Sequence, residues 1–497
     1  MTDDPVELAA RAAERHVIVV GGGIGGLVAA RECAKVGMKV TLLEAAGVLG
    51  GAVRRAELDS IVVDAGAESY ATRGGHVRDL LADLGLTDRV VTPNPAGAWL
   101  VGVPGVAPAP LPKGGILGIP SNPFADDVRR IIGWGGAWRA YVDRLRPPLT
   151  IGKEHSLGKL VSSRMGDKVL RRLVTPVTAG VYSAHPDGVD TEVAAPGLNE
   201  AMTRAGSLSG GVAQLLADRA DRAKKAPGSA VEALAGGMSV LVDALANDLT
   251  ELGGVVRTGI DVQTLVRDGD RWTVTFQADT AGEDGADAAE DVDDSTETLT
   301  ADAVIVATAE PSARALLDAH VDALGAPGAA PEIEIVSLLL DAPALDAAPR
   351  GTGVLTVPGS HAAKALTHAT AKWAWLRETA AGRHIVRVSF GAQGEPAATA
   401  RLDDEEAARL ALSEAADMLG VPLAESMLVD SHRARFTQAQ PASLIGAAER
   451  RLAVRAAVQE VDGLAVVGAW LAGTGLAQVI PDAKNEADRL RRALLWT

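Results

Sequence analysis

Three glycines with the spacing of a nucleotide-binding turn stand near the start of the chain. Gly21, Gly23 and Gly26 follow the β-branched run HVIVV and open a stretch of helix-forming residues. In such a turn the first glycine permits a sharp bend, the second lets the backbone approach a pyrophosphate, and the third lets the helix lie close to the strand. The spacing therefore predicts a dinucleotide phosphate site at the N-terminus of a helix.

An acidic residue stands where such a site binds ribose. Glu44 ends the second β-branched run, KVTLLE, 18 residues beyond Gly26. A carboxylate at this position accepts hydrogen bonds from the ribose hydroxyls and disfavours a 2′-phosphate, which argues against NADP. FAD and NAD share this fingerprint, so these residues alone leave both open.

Later stretches of small residues favour FAD. Gly50 and Gly51 return the backbone toward the same cofactor, and DAGAES, residues 64–69, offers a second close approach. The turn containing Gly473 and Gly475 opens the last helical stretch, and the N-terminus of that helix favours the negative charge that develops on a reduced flavin. An NAD enzyme does not need this distant closing element.

The elements that must position these residues alternate between strand and helix. Residues 16–44 predict one βαβ unit, because short β-branched runs are typical of parallel strands buried on both faces. The same texture returns in GGMSVLVDALANDLTEL, in the strands VVRTGIDVQTLVRDG and RWTVTFQA, in residues 303–308, and after residue 463. The outer parts of the chain and a central piece therefore predict one domain, into which two other units are inserted.

Composition excludes several classes of protein. The 497 residues carry a formal net charge of −16, which argues against a nucleic-acid partner, and 47% hydrophobic residues exclude global disorder. The single cysteine, Cys33, and the lack of any zinc-spaced Cys/His cluster indicate a reducing compartment and no metal. We therefore expect a cytoplasmic protein.

Two uncharged stretches and one acidic stretch need a structural interpretation. Residues 90–112 contain six prolines and residues 463–481 contain four glycines before a terminal proline, so neither predicts a membrane-spanning helix. Residues 279–297 hold nine acidic residues and no basic one. A solvated hairpin insertion is the preferred interpretation, with an acidic interaction segment as the alternative.

Across nearly its whole length the chain resembles the oxygen-dependent protoporphyrinogen/coproporphyrinogen oxidase family of flavoproteins, within the wider amine-oxidase-like group. The GGGIGG turn and the E-x5-GG continuation are typical of the whole group. More specific are the stretches LPKGGILGIPS, SLGKLVSSRMGDKVLRRLVTPVTAGVYSAHPD, ALAGGMSVLVDAL and AGTGLAQVIPDAK.

The resemblance implies an α/β fold of three units. A discontinuous, Rossmann-like FAD-binding domain of the amine-oxidase and glutathione-reductase type is expected from residues 1–54, 229–311 and 448–497. A mixed α+β substrate domain is expected from residues 55–107 and 312–447. Residues 108–228 are expected to form an inserted helical domain, and the sequence itself predicts helical stretches over residues 156–174 and 210–225.

The resemblance also implies which residues bind FAD, and no metal is implied. They are Gly21, Gly22, Gly23, Ile24, Gly25 and Gly26 at the pyrophosphate; Glu44 and Ala45 at the adenosine; Gly50, Gly51 and Ala52 beside the flavin; Gly66, Ala67, Glu68 and Ser69 along the isoalloxazine; Val262 at the adenine; and Gly473, Thr474, Gly475 and Leu476 as a cap on the flavin. The chain departs from the family pattern by having Phe436 for a Trp, Ser443 for a Tyr, Ala447 for a His and Ala477 for a Pro.

The activity implied by the resemblance is the oxidation of a porphyrinogen in haem biosynthesis. Three two-electron steps would transfer electrons to the flavin and then to dioxygen, releasing hydrogen peroxide. No side chain is assigned as catalytic, because the cofactor carries the chemistry. Coproporphyrinogen III is the preferred substrate and protoporphyrinogen IX is the rival.

Substrate propionates need cationic partners. The candidate substrate contacts are Arg73, Lys113, Arg171, Arg172, Tyr182 and Arg387, although for each single cation an ordinary surface charge is the favoured interpretation. Besides the tetrapyrrole and dioxygen, a transient contact with the next enzyme of the haem pathway is left open. Two further alternatives are another FAD-dependent amine oxidase or desaturase, and a flavin-binding protein of the haem pathway without turnover.

Overall fold

The strands of the described residues fall into six sheets. The structure is a computed structural model that describes residues 5–146, 154–225, 230–278, 296–322, 324–326, 330–437 and 444–496. In chain order the strands are β1 (His16–Val20), β2 (Lys39–Glu44), β3 (Arg55–Leu58), β4 (Ile61–Asp64), β5 (Tyr70–Ala71), β6 (Val90–Val91), β7 (Ala98–Val101), β8 (Ala109–Pro110), β9 (Gly115–Ile116), β10 (Ile119–Pro120), β11 (Val231–Leu234), β12 (Val255–Thr258), β13 (Ile260–Asp268), β14 (Arg271–Ala278), β15 (Thr296–Ala301), β16 (Ala303–Val306), β17 (Glu332–Leu340), β18 (Gly353–Thr356), β19 (Ala365–His368), β20 (His384–Phe390), β21 (Leu428–Thr437) and β22 (Leu464–Val466).

Helices cover the sheets and form a separate cluster in the middle of the chain. They are α1 (Pro5–Glu14), α2 (Ile24–Ala34), α3 (His76–Asp83), α4 (Asp126–Tyr141), α5 (Leu157–Met165), α6 (Asp167–Val169), α7 (Thr175–Tyr182), α8 (Thr191–Ala194), α9 (Leu198–Ala205), α10 (Leu208–Lys225), α11 (Ser239–Glu251), α12 (Glu310–Leu317), α13 (Ala369–Lys372), α14 (Ala374–Ala380), α15 (Asp404–Leu419), α16 (Ala447–Gln459), α17 (Ala469–Ala472) and α18 (Leu476–Leu495). None of the helices in the described ranges is long and apolar enough to cross a membrane.

The first sheet is parallel, with the strand order β12-β2-β1-β16-β22. Alternate residues of β1 enter different cores: Val17 and Val19 pack with α2 and α18, whereas Ile18 and Val20 pack on the opposite face. Burial on both faces explains the continuous apolar runs of these strands. All five strands come from the three segments that we predict to form the FAD-binding domain, while the domain boundaries themselves remain a proposal.

The second large sheet has the order β21-β17-β20-β19-β18-β7-β8. Its two faces serve different cores, because strand residues alternate in direction. Val386 and Val388 of β20 pack with α15, whereas Ile385 belongs to the core shared with α2 and α18. The sheet therefore presents one face to the nucleotide-binding sheet and its helices.

Helices α4 to α10 share a second core with β7 to β10 and with the start of α16. The helical stretch expected over residues 156–174 is interrupted at Gly166, which ends α5 with a φ of 90°. A Cβ at Gly166 would lie 2.7 Å from Cγ of Arg139, so this close contact and the positive φ both favour glycine. A π-helical turn at Leu170–Val174 then leads into α7.

The run VVRTGIDVQTLVRDG forms two strands instead of one. Gly259 has a φ of 68° and separates β12, in the parallel sheet, from β13, which begins the antiparallel meander β13-β14-β15. Strands β14 and β15 pair as a hairpin on either side of the acidic stretch. Residues 279–295 of that stretch lie outside the described residues.

Candidate active site

The three fingerprint glycines occupy three different environments at the carboxyl end of β1. Gly21 turns the chain with a φ of 110°, and a Cβ there would lie 2.8 Å from the carbonyl carbon of Ala307. A Cβ on Gly26 would overlap the carbonyl oxygen of Gly21. Gly23, the N-cap of α2, has no described atom within 4 Å of a Cβ position. The first and third glycines therefore serve the fold, while the second borders open space.

Glu44 is tied to the glycine turn by hydrogen bonds. The backbone nitrogen of Gly22 donates to Oε2 of Glu44 at 2.6 Å, and that of Ala46 donates to Oε1 at 2.9 Å. Ala45, which lies between Glu44 and Ala46 in the chain, is exposed. The carboxylate is thus oriented at the edge of the turn, where the ribose of a dinucleotide is predicted.

Gly50 and Gly51 return to the first glycine turn, as the sequence predicts. The backbone nitrogen of Gly50 donates to the carbonyl of Gly22 at 2.9 Å, and Gly50 forms an isolated parallel bridge with Gly23. A Cβ on Gly51 would lie 3.4 Å from Cα of Gly23. These two glycine segments form one continuous backbone surface.

The segment from Gly66 to Ser69 extends this surface. The nitrogen of Ala67 donates to the carbonyl of Ala52 at 3.0 Å, and a Cβ on Gly66 would lie 3.0 Å from Cζ of Phe436. Phe436, which stands at the family's Trp position, therefore lies directly beside the segment expected to follow the isoalloxazine.

Glu68 is the centre of a buried charge cluster. Nζ of Lys372 lies 2.5 Å from one carboxylate oxygen and Nη1 of Arg387 lies 2.8 Å from the other. Arg387 also donates to the carbonyls of Ala65 and Gly66. Burial would raise the pKa of Glu68, but Lys372 and Arg387 outweigh it and lower this pKa to about 2. The ionised Glu68 therefore joins the segment that follows β4 to Arg387 of β20 and Lys372 of α13.

Asp64 connects the same segment to α11. Its Oδ1 accepts a hydrogen bond from the nitrogen of Met238 at 2.7 Å, which satisfies a free donor at the start of that helix. Burial raises the pKa of Asp64 to about 6, despite the nearby charge of Arg387. This contact explains the second glycine of the motif ALAGGMSVLVDAL, because a Cβ on Gly237 would lie 3.1 Å from the Asp64 carboxylate.

The start of the last helix lies beside the start of α2. A Cβ on Gly25 would lie 3.3 Å from Cγ1 of Val479, in the first turn of α18, and 3.3 Å from Cα of Gly468. Buried Ile24 and Leu476 are the first residues of α2 and α18. The two helix N-termini, separated by about 450 residues of sequence, are therefore neighbours.

The turn that precedes α18 is open and has a cation beside it. Gly473 and Gly475 have φ values of 102° and 101°, and no described atom lies within 4 Å of a Cβ position on Gly475. Thr474 is exposed. The side-chain amide of Gln478 satisfies both its groups in one orientation. Its nitrogen then donates to the carbonyl of Ala472 at 3.2 Å, and its oxygen accepts from Nη2 of Arg73 at 3.1 Å. Arg73 is thus brought to the closing turn.

Val262 lies four residues beyond β12, the strand that pairs with β2. The nitrogen of Gly259 donates to the carbonyl of Ala46, and Thr258 is paired with Glu44. Val262 follows on β13, which is an edge strand of its sheet, next to a β-bulge. Its free strand edge suits the predicted backbone contact with adenine.

The other candidate substrate contacts lie in the segment 108–228. Lys113 is exposed in the loop before β9, and Arg171 is exposed in the π-helical turn. Nη1 of Arg172 donates to the carbonyl of Ile131 at 2.9 Å, which ties this arginine to α4. Tyr182 is the last residue of α7, and its side chain lies outside the described part of the protein.

These surfaces fit a flavin dinucleotide. Open space borders Gly23 and Gly475, on two helix N-termini that favour anions. Buried Oγ1 of Thr308, a residue next to Gly21, and Nε of Arg387, which contacts Gly66, have no hydrogen-bond partner among the described residues. Buried polar groups are nearly always satisfied, so these atoms indicate a missing polar ligand.

Comparison with known families decides the class. A family model described as flavin-containing amine oxidoreductase matches residues 24–491 of the chain. The chain belongs to this family. It is accordingly a flavin-dependent oxidoreductase, and the segments at Gly50, Gly66 and Gly475 lie within the matched residues.

Relatives of this flavin oxidoreductase carry porphyrinogen oxidase names. The chain is 29% identical over 495 residues to the coproporphyrinogen III oxidase of Mycobacterium tuberculosis, covering 97% of this chain and 98% of the relative. It is 30% identical over 401 residues to that of Mycobacterium leprae, covering 79% and 80%. A solved structure from Exiguobacterium, provisionally named protoporphyrinogen oxidase, matches with a TM-score of 0.80, 24% identity, and coverage of 96% and 99%. The predicted membership of the porphyrinogen oxidase group and the predicted fold class are confirmed.

Some residues of the site carried no signal in the sequence. Lys372 and Gln478 lie in ordinary helical stretches, and only their partners, Glu68 and Arg73, were candidates. In the sequence, Asp64 stands out only as the first residue of the small-residue segment 64–69. The individual FAD and substrate contacts remain predictions.

Proposed function

We propose that this flavin oxidoreductase uses FAD to oxidise coproporphyrinogen III to coproporphyrin III in haem biosynthesis, with dioxygen as the acceptor and hydrogen peroxide as the by-product. One observation carries the proposal. A relative named coproporphyrinogen III oxidase matches 97% of the chain and is itself covered over 98% of its length, so the similarity extends over nearly the full length of both. The buried Cys33 thiol supports a reducing compartment such as the cytoplasm.

The glycine surface would hold FAD through backbone contacts. The turn at Gly23 would bind the pyrophosphate, Glu44 the ribose, Val262 the adenine, and the segments at Gly51 and Gly66 the flavin end. When bound, FAD accepts electron pairs from the substrate and passes them to dioxygen. The N-terminus of α18 at Gly475 would favour the negative charge that accompanies reduction of the flavin.

The overall reaction balances without a catalytic side chain. Coproporphyrinogen III loses six electrons and six protons in three two-electron steps, and three molecules of dioxygen become three of hydrogen peroxide. Aromatisation of the macrocycle supplies the driving force. The chain's own residues therefore bind, orient and enclose the reactants, and none is assigned to proton removal.

The candidate cations lie in different surroundings. Arg73 lies at the closing turn and is the best placed to meet a substrate carboxylate near the flavin. Arg387 is buried and already bonded to Glu68 and Gly66, so we propose that it positions the flavin-side segment. Lys113, Arg171, Arg172 and Tyr182 remain proposals for the distal carboxylates.

An anaerobic titration tests the proposal. Purified holoprotein mixed with coproporphyrinogen III should lose its flavin absorbance at 450 nm, and admission of air should restore the absorbance with release of peroxide and porphyrin fluorescence. A bound flavin that coproporphyrinogen III fails to bleach would contradict the assignment. Thermal denaturation followed by mass analysis of the released cofactor distinguishes FAD from FMN.

Protoporphyrinogen IX is the second candidate substrate, favoured by the provisional name of the Exiguobacterium structure. The ratio of kcat/KM for the two porphyrinogens decides between them. Bleaching by an amine or a carotenoid precursor alone would identify another oxidase or a desaturase of the family. Stoichiometric flavin that no substrate reduces would identify a binding protein of the haem pathway, and the contact with the next enzyme of that pathway remains a proposal.

A further inference from the structure

A lysine without an acidic partner lies where the second large sheet meets the helical segment. Lys364 directly precedes β19, and its Nζ donates to Oγ of Ser183 at 2.7 Å. It forms no salt bridge with any residue that the structure describes. Burial lowers its pKa to about 7, and no neighbouring charge contributes to that shift. Lys364 is thus half-buried, and no opposite charge of the described residues lies beside its ammonium group.

Such a group destabilises the folded chain. An ammonium group has three donors, and Ser183 accepts from only one of them. A buried, uncompensated charge costs more free energy than a methionine side chain of similar size in the same place. Folding alone therefore gives no reason for a lysine at this position, whereas an anionic ligand would.

The neighbouring acidic group is already engaged. Oε2 of Glu414 accepts a hydrogen bond from the nitrogen of Ala363, immediately before Lys364 in the chain. The lysine instead turns toward Ser183, which is buried and held with a φ of 51°. The Ser183 nitrogen donates to the carbonyl of Ala179, and its carbonyl accepts from Gln393 at 2.8 Å. The hydroxyl that orients Nζ is therefore rigidly placed.

Lys364 is connected to the sheet face that bears Arg387. Its nitrogen donates to the carbonyl of Ser389, and Ala365 is the strand partner of Ser389. Ser389 and Arg387 lie two residues apart on one face of β20, about 7 Å along the strand. Arg387 in turn contacts Gly66 and Glu68 at the proposed flavin edge.

The helical segment closes the other side of this junction. Gly180 of α7 rests on β18, since a Cβ there would lie 2.6 Å from Cδ2 of Leu355. Leu355 is the strand partner of Ala365, so α7 and Lys364 approach the same pair of strands, β18 and β19. A ligand extending from Gly66 past Arg387 toward α7 would meet the two free donors of Lys364.

We propose that Lys364 binds a carboxylate of the substrate, a propionate group of the porphyrinogen, with Ser183 orienting the ammonium. This inference rests on the proposed function and adds a substrate contact outside the candidates found from the sequence. An ion pair with the substrate would stabilise the charged ammonium group, which burial destabilises. This contact would therefore contribute to the free energy of substrate binding.

The test compares one substrate with and without its carboxylates. Lys364→Met holoprotein is assayed with coproporphyrinogen III and with its tetramethyl ester, both presented in the same detergent. We expect KM for the acid to rise about tenfold or more and kcat to stay within about twofold, because one charge-assisted contact is lost. KM for the ester should not change. The matched control is Lys39→Met, since Lys39 is exposed at the amino end of β2.

The outcomes separate the inference from the proposed function. If wild-type holoprotein oxidises neither coproporphyrinogen III nor protoporphyrinogen IX, the proposed function is wrong. If it oxidises one of them, an unchanged KM for that acid in Lys364→Met overturns the role of Lys364. An equal rise for acid and ester also overturns it, because a purely structural defect affects both. Thermal unfolding of the variant, expected at or above the wild-type Tm, identifies misfolding.

Discussion

The carboxylate of Glu44 accepts a 2.6 Å hydrogen bond from the backbone nitrogen of Gly22, so the end of the second strand is joined to the turn that follows the first. A second bond from Ala46 fixes its other oxygen. The acid is thus oriented by the protein before any ribose arrives. Such pre-organisation reduces the entropy lost on binding.

Replacing Glu44 by Ala should weaken FAD binding by about tenfold or more, because hydrogen bonds to a charged acceptor are lost. The measurement is the Kd for FAD, obtained by titrating the cofactor into flavin-free protein. Glu57→Ala, at an exposed position of β3, is the matched control. Wild-type affinity in the Glu44 variant would contradict the ribose contact.

Alanine at Gly23 and at Gly26 should have opposite effects. Gly23 has a φ of −70° and open space at its Cβ position, so Gly23→Ala should fold with nearly the wild-type Tm but lose FAD. At Gly26 the new methyl would overlap the carbonyl of Gly21, so Gly26→Ala should lose stability even without cofactor. Thermal unfolding of the flavin-free proteins and flavin content after purification measure both effects. A Gly23→Ala protein that retains full flavin would show that no pyrophosphate approaches this residue.

Asp64→Asn should stabilise the protein above neutral pH. Because the folded pKa of about 6 exceeds the ordinary 3.8, the protonated form of Asp64 is favoured by folding, and stability falls as pH rises from about 4 through 6. The amide cannot ionise, yet its oxygen still accepts from Met238. We expect a gain of up to about 3 kcal/mol at pH 8 that vanishes near pH 4. Urea unfolding of flavin-free protein across this range tests it, with exposed Asp268→Asn as control; a constant difference at all pH values would argue against the titration.

Glu68→Gln should have the reverse dependence on pH. Its folded pKa of about 2 lies below the ordinary 4.5, so the carboxylate stabilises the protein fully above about pH 4.5 and the contribution is lost as pH falls through 2. At pH 7 the variant should lose about 3–5 kcal/mol, because Lys372 and Arg387 remain buried without their anion. Adding Lys372→Met should recover part of the loss. Equal stability of the single and double variants would mean that the cluster is not coupled.

The nucleotide-binding unit was predictable because its signals are local. Gly21, Gly23 and Gly26 lie within six residues, and the adjacent runs have the period and length of buried parallel strands. The far ends of the site were predictable only as glycine segments. That Gly25 lies against Val479 depends on the packing of two helices separated by most of the chain.

The charge cluster was not predictable in the same way. Glu68 and Arg387 are 319 residues apart, and neither has a neighbour in sequence that indicates the pairing. Two breaks were missed because glycine alone does not reveal its φ: Gly166 divides one expected helical stretch, and Gly259 sends β12 and β13 into different sheets. Lys364 gave no signal because its distinguishing property is a missing partner, which only tertiary structure shows.

The parallel sheet takes its strands from both extremes of the polypeptide, with β16 between β1 and β22. A ribosome makes residues 16–44 long before the strand at residues 464–466 and the turn at Gly475. We therefore expect the nascent chain to remain unable to retain its prosthetic group until translation has passed α18.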